Sequence, residues 1–115
     1  MPKKKATQSQ TKIPPVLVPP PNQLVYFCNN GICSVDDDSK HVRTGSTLYL
    51  IAHGTDVTLR FRISPFADGR KLFHIADGQY VPETLGPPSN QPFPYSKSCA
   101  ACPATSNDPE IIVDP

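Results

Sequence analysis

Fifteen prolines in 115 residues set the first limit on this chain. Proline has no backbone N–H and its ring clashes with the preceding helical turn, so helix interiors reject it. Pro14, Pro15, Pro19, Pro20 and Pro21 crowd one stretch near the start. No window elsewhere repeats apolar residues at helical spacing. The fold therefore has to be built from strands and turns. The length suits one small domain and not two.

Charge divides the chain. Residues 1–22 carry Lys3, Lys4, Lys5 and Lys12 and no acid, giving +4. The other seven basic side chains meet ten acidic ones, giving −3 for the rest. An acidic body does not describe a nucleic-acid-binding domain, and the lysine run reads as a solvated start. The IPPVLVPPP stretch reads as an extended, semi-rigid spacer. The expectation is a disordered basic and proline-rich tail over 1–22 and a folded domain over 23–115. No apolar run reaches the ~20 residues of a membrane helix. No apolar signal-peptide core follows the lysines. The expected location is cytoplasmic; a removed leader would make it periplasmic or secreted.

From Gln23 onward short strands alternate with turn signals. LVYFC (24–28) is apolar, β-branched and aromatic. Asn29-Asn30-Gly31 is a hairpin-type turn, because Asn and Gly tolerate positive φ. Ile32 to Val35 returns as a strand, and Asp36-Asp37-Asp38-Ser39 is an exposed loop. TLYLIA (47–52) is nearly continuous in apolar character. VTLRFRI (57–63) alternates: Val57, Leu59, Phe61 and Ile63 face a core, while Arg60 and Arg62 face water. KLFHIA (71–76), QYV (79–81) and FPYS (93–96) read as further strands, with 82–92 a loop. EIIVDP (110–115) closes the chain. Many short strands at this spacing predict an all-β sandwich with Greek-key connections.

Four cysteines form two close pairs, Cys28/Cys33 in CNNGIC and Cys99/Cys102 in CAAC. Zinc takes four thiolates at about 2.3 Å, commonly from Cys pairs two to four residues apart. The leading expectation is a structural zinc held by Cys28, Cys33, Cys99 and Cys102. A reducing compartment favours this over disulfides. Two other readings stand beside it. One is disulfides, local or crossing between the pairs, with three connectivities open. The other is four unconnected thiols. CAAC is a poor redox motif, because Pro103 follows it and no helix opens there to lower a thiol pKa.

The segments GSTLYLIAHGTDVTLRFRISPF, FPY and DPEIIVDP resemble those of small bacterial cupredoxin-like domains, over about residues 42–115. The resemblance implies a cupredoxin-like β-sandwich. It places His53 at the first copper-ligand position and Cys99 or Cys102 at the thiolate position. No histidine follows either cysteine, and Met1 is the only methionine. A blue-copper site takes two His, a Cys and a weak axial ligand, so copper is the lesser expectation and zinc the greater. The implied topology also brings both cysteine pairs and His53 to one end of the sandwich.

The remaining motifs carry little chemistry. Asp36-Asp37-Asp38 lacks the alternating ligands and distal Glu of a calcium loop. The six glycines are turn punctuation, not a phosphate loop. His41 carries no spacing signal, and His74 belongs on a wet strand face. No nucleophile stands beside a His and a carboxylate in sequence. The expected function is a non-enzymatic binding or interaction domain, with a protein partner of unstated kind and a structural zinc. The alternatives are a redox or copper carrier using the same cysteines with His53, and a disulfide-stabilised secreted β-domain.

Overall fold

The structure is a computed structural model and describes residues 22–115. The expected tail, residues 1–22, lies outside the described residues except for Asn22. Ten strands follow in chain order: β1 (Gln23–Asn29), β2 (Ile32–Val35), β3 (Ser39–Arg43), β4 (Thr47–Ala52), β5 (Val57–Phe61), β6 (Leu72–Ile75), β7 (Tyr80–Thr84), β8 (Phe93–Cys99), β9 (Ala104–Thr105) and β10 (Glu110–Asp114). They form two five-stranded sheets, ordered β7-β4-β1-β2-β9 and β3-β10-β8-β5-β6. The all-β sandwich expected from the sequence is the observed architecture.

The β1–β2 hairpin is set by its turn. Asn30 and Gly31 have φ of 54° and 80°. Two successive positive φ values match the twist of the flanking strands and favour Asn-Gly. β1 then pairs parallel with β4, Leu24 beside Leu50 and Tyr26 beside Ala52. The two strands therefore point their C-terminal ends the same way.

The core lies between the sheets. Leu24, Tyr26, Leu48 and Leu50 enter from one; Val57, Leu59, Phe73, Ile111 and Val113 enter from the other. Phe61 stacks on Tyr95 at 4.5 Å and meets Phe66 and Phe73 edge-on. The Tyr26 and Tyr95 hydroxyls hydrogen-bond each other at 2.8 Å across the core. Burial pushes both phenols up, so neither ionises near neutral pH. A buried hydroxyl needs such a partner, since an unpaired one costs roughly 1–3 kcal/mol.

Three expectations change. The alternating strand stops at Phe61, and Ile63 is 67% exposed instead of buried. Ser64-Pro65 turns the chain there, and Phe66 enters the core instead. Arg60 and Arg62 are exposed as expected. The strand after Asp77-Gly78 runs on to Thr84 through Pro82, within the expected loop. Pro82 is tolerated because β7 is an edge strand, where a missing N–H faces no neighbour. Finally, Ser39 to Arg43 is a strand, parallel to β10.

A four-sulfur clasp at one end of the sandwich

Three connections meet where β1 and β4 end. The first is the β1–β2 turn. Cys28 and Cys33 are direct cross-strand partners there, and both pack inward. The second is the β4–β5 turn, His53 to Asp56. The His53 N–H donates to the Tyr26 carbonyl at 2.9 Å, fixing this turn beside β1. The third is the segment after β8. Inward positions of β8 are Tyr95, Lys97 and Cys99, so Cys99 reaches the core as the strand ends. The chain then reverses through Ala100 and Ala101, and Cys102 returns beside Cys99 in an antiparallel bridge.

Backbone and side-chain bonds hold this third segment. The Ala100 N–H donates to the Asp56 carbonyl at 2.9 Å. The Ala101 N–H donates to Thr55 Oγ1 at 3.0 Å, and Thr55 is buried. β9 adds to β2 in parallel, Thr105 beside Cys33. Lys97 Nζ donates to Ser106 Oγ at 2.7 Å, the Asn107 carbonyl at 3.1 Å and the Ser106 carbonyl at 3.4 Å. Burial pulls the Lys97 ammonium below its ordinary pKa, while Asp38 and Asp108 oppose this.

All four cysteines come together here, as does the turn that carries His53. They are joined as Cys28–Cys102 and Cys33–Cys99, with no free cysteine. This is one of the crossing connectivities. A structural zinc on the four cysteines is not shown in this form: a disulfide sulfur carries no thiolate charge, and thiolate is what zinc binds. The sulfurs of Cys28, Cys99 and Cys102 nevertheless lie within 4.8 Å of one another, a cluster able to hold a metal. His53 is exposed and does not join that group.

Cys33–Cys99 spans the two sheets, and Cys28–Cys102 ties β1 to the connection between β8 and β9. Cys28 and Cys33 belong to β1 and β2, whereas Cys99 ends β8 and Cys102 follows it. The clasp therefore fastens one end of the sandwich.

Comparison with solved structures agrees with this layout. A proline-to-glycine variant of amicyanin, in its reduced Cu(I) form at pH 4, superposes with a TM-score of 0.55. It covers 92% of this chain and 94% of that one at 14% identity. The fold is cupredoxin-like. A methionine-to-alanine amicyanin variant with Cu(I) gives a TM-score of 0.54 at 15% identity, again over 92% and 94% of the two chains. An oxidised proline-to-glycine variant gives 0.52 at 13% identity and the same coverage. No family model matches the sequence, and no curated protein matches it. At these identities the likeness is one of fold.

The cupredoxin-like fold raises the question of copper. Blue copper takes two imidazoles and a thiolate. Here the sulfurs at that end are joined to each other, and no imidazole lies in their cluster. The disulfide-bonded donor set does not fit a blue-copper centre.

Two buried ionisable groups, Lys97 and Glu83, lie outside the candidate residues that the sequence offers. Both were visible as alternation: Tyr95, Lys97 and Cys99 share a face of β8, and Glu83 precedes buried Leu85 by two. Burial and the neighbouring Asp68 carboxyl, which shares a hydrogen bond with it, raise the Glu83 pKa to about 7. Arg70, 3.9 Å from the Glu83 carboxylate, opposes the rise.

Proposed function

We propose that this is a non-enzymatic binding module whose metal end has been closed by disulfides. The observation that carries it is the crossing pair Cys28–Cys102 and Cys33–Cys99, which sews the sheets together where a cupredoxin would hold copper. Two disulfides favour an oxidising compartment, periplasmic or extracellular, over the cytoplasm. The buried ionisable groups serve the fold: Lys97 ties down residues 106–107, and the two tyrosines bind each other. The outer face of the β5–β8 sheet offers surface for a partner. An open hollow of about 400 Å³ lies there, lined by Arg60, Arg62, Pro94, Ser96 and Asp108 among others.

A second reading uses the same sulfurs. After reduction, Cys28, Cys99 and Cys102 present three thiolates within reach of one soft ion, zinc or Cu(I), with Cys33 next to Cys28 on the hairpin. One experiment separates the two. Protein purified without reductant or chelator is denatured, alkylated and weighed, with metal measured in parallel. The disulfide-closed module takes up no alkyl group until reduced, and then takes four. Four alkylations without prior reduction, together with stoichiometric zinc or copper, would sink it in favour of the metal site.

A further inference from the structure

The backbone pairs the four cysteines one way and the disulfides pair them another. We propose that the quartet is a thiol–disulfide exchange site, at which a thiol-bearing partner converts the crossing disulfides into the local ones, Cys28–Cys33 and Cys99–Cys102. The proposal rests on the disulfide reading above.

Geometry supplies the first argument. Cys28 and Cys33 are Cα partners in the antiparallel β1–β2 ladder, and Cys99 and Cys102 are partners in an antiparallel bridge. Such partners lie roughly 4.5–5.5 Å apart. A disulfide accepts Cα separations of about 4.4–6.8 Å. The existing pairs, at 6.1 and 5.4 Å, fall inside the same range. The four cysteines thus form a quadrilateral with every side of bridging length. No strand has to move for the connectivity to change.

The second argument is contact between the disulfides. Cys99 Sγ lies within 4.8 Å of both sulfurs of the other disulfide. A thiolate released at Cys102 already faces a disulfide sulfur. The third is access. Cys33, Cys99 and Cys102 are buried, whereas Cys28 is only half-buried beside the exposed Asn29-Asn30-Gly31 turn. An incoming thiolate meets Cys28 first.

The steps balance without any net oxidation. The partner thiolate attacks Cys28 Sγ; the Cys28–Cys102 bond breaks and leaves a Cys102 thiolate. That thiolate attacks Cys99 Sγ, forming Cys99–Cys102 and releasing a Cys33 thiolate. Cys33 then attacks Cys28 Sγ, forming Cys28–Cys33 and expelling the partner thiolate unchanged. Two disulfides become two others, and the thiol acts as a catalyst. The consequence is structural. The crossing bonds tie the β1–β2 hairpin to Cys99 and Cys102, and the local bonds do not. Exchange unfastens the clasp: Cys102 stays bonded to Cys99, but no covalent bond then ties residues 100–108 to the hairpin.

The test uses the full chain with glutathione as the thiol. Trypsin cutting after Lys12, Lys40 and Lys97 leaves Cys28 and Cys33 on peptide 13–40, and Cys99 and Cys102 on peptide 98–115. Oxidised protein is held under argon with glutathione at a tenth of its molar concentration. Samples are quenched in acid, alkylated, digested and mapped by mass. Before the thiol is added, the two peptides should be recovered linked. Afterwards a growing share should appear as separate peptides, each with an internal disulfide. The rate should rise about eightfold from pH 7 to pH 8, following the thiolate fraction of a thiol with pKa near 8.5. Peptides that stay linked, or that separate only as reduced and alkylated thiols, would overturn the exchange site. Four free thiols at the outset would overturn the disulfide reading, and the exchange site with it.

Discussion

Glu83 shows how one side chain sets a pH dependence. It is 7% exposed on an edge strand, and its pKa rises from 4.5 to about 7 through burial and the Asp68 carboxyl. The folded chain therefore holds this proton more tightly than the unfolded one. Its contribution to stability is complete below about pH 4.5 and is lost as pH rises through 7. Each pKa unit corresponds to about 1.4 kcal/mol, and water around the exposed Asp68 reduces the net effect to roughly 2 kcal/mol. Glu83→Gln keeps the neutral form at every pH. Urea midpoints from pH 4.5 to 7.5 should show the variant gaining about 2 kcal/mol on the wild type as pH rises. A flat difference across that window would mean that Glu83 ionises normally in the fold. The signal in the sequence was weak, because a Glu beside Pro82 reads as loop until its strand neighbours are known.

At the scale of elements, the sequence was clearest where one strand carries its own alternation. Val57, Leu59 and Phe61 are buried, and Arg60 and Arg62 are exposed, as the period of two requires. The alternation outlasted the strand by two residues, because Ser64-Pro65 ends pairing and periodicity carries no information about where a ladder stops. The expected outcome follows directly. Phe61→Ala should cost about 3–5 kcal/mol, since it empties a site packed by Phe66, Phe73 and Tyr95. Ile63→Thr should stay within about 0.5 kcal/mol. Equilibrium denaturation of the two variants checks both, and an equal loss at both positions would contradict the early end of β5. β3 was hidden for the opposite reason. SKHVR holds one buried apolar residue, Val42, and its pairing comes from distant β10. The parallel β1–β4 pair is not legible in either strand, since nothing local encodes its partner; only the family resemblance implied that the ends of these strands meet.

The whole molecule depends on how the two disulfides are nested. Their convergence at one end was expected from topology, but their bonding was not, because spacing fits thiolates and disulfides equally well. Cys28–Cys102 and Cys33–Cys99 close spans of 74 and 66 residues, one inside the other. In the chain-entropy description, the first bond to form restricts the unfolded chain by about 4 kcal/mol. The second then closes only the residues between the two, a loop of 8, the difference of the spans. That adds about 2.5 kcal/mol. Removing either disulfide leaves the other holding the long loop, so each alone should cost only about 2.5 kcal/mol. Removing both should cost about 7 kcal/mol, more than the two single losses together. For a domain of this size each kcal/mol moves Tm by about 4–8 °C. Paired variants test this without leaving a stray thiol: Cys28→Ser with Cys102→Ser, Cys33→Ser with Cys99→Ser, and all four together. The first two should melt some 10–20 °C below the wild type and remain folded at 25 °C. The fourfold variant should lie near the limit of the roughly 5–15 kcal/mol that holds small proteins folded, and its far-UV spectrum should report a large unfolded fraction. Strict additivity would mean that the bonds act through local packing and not by holding the two sheets to one another.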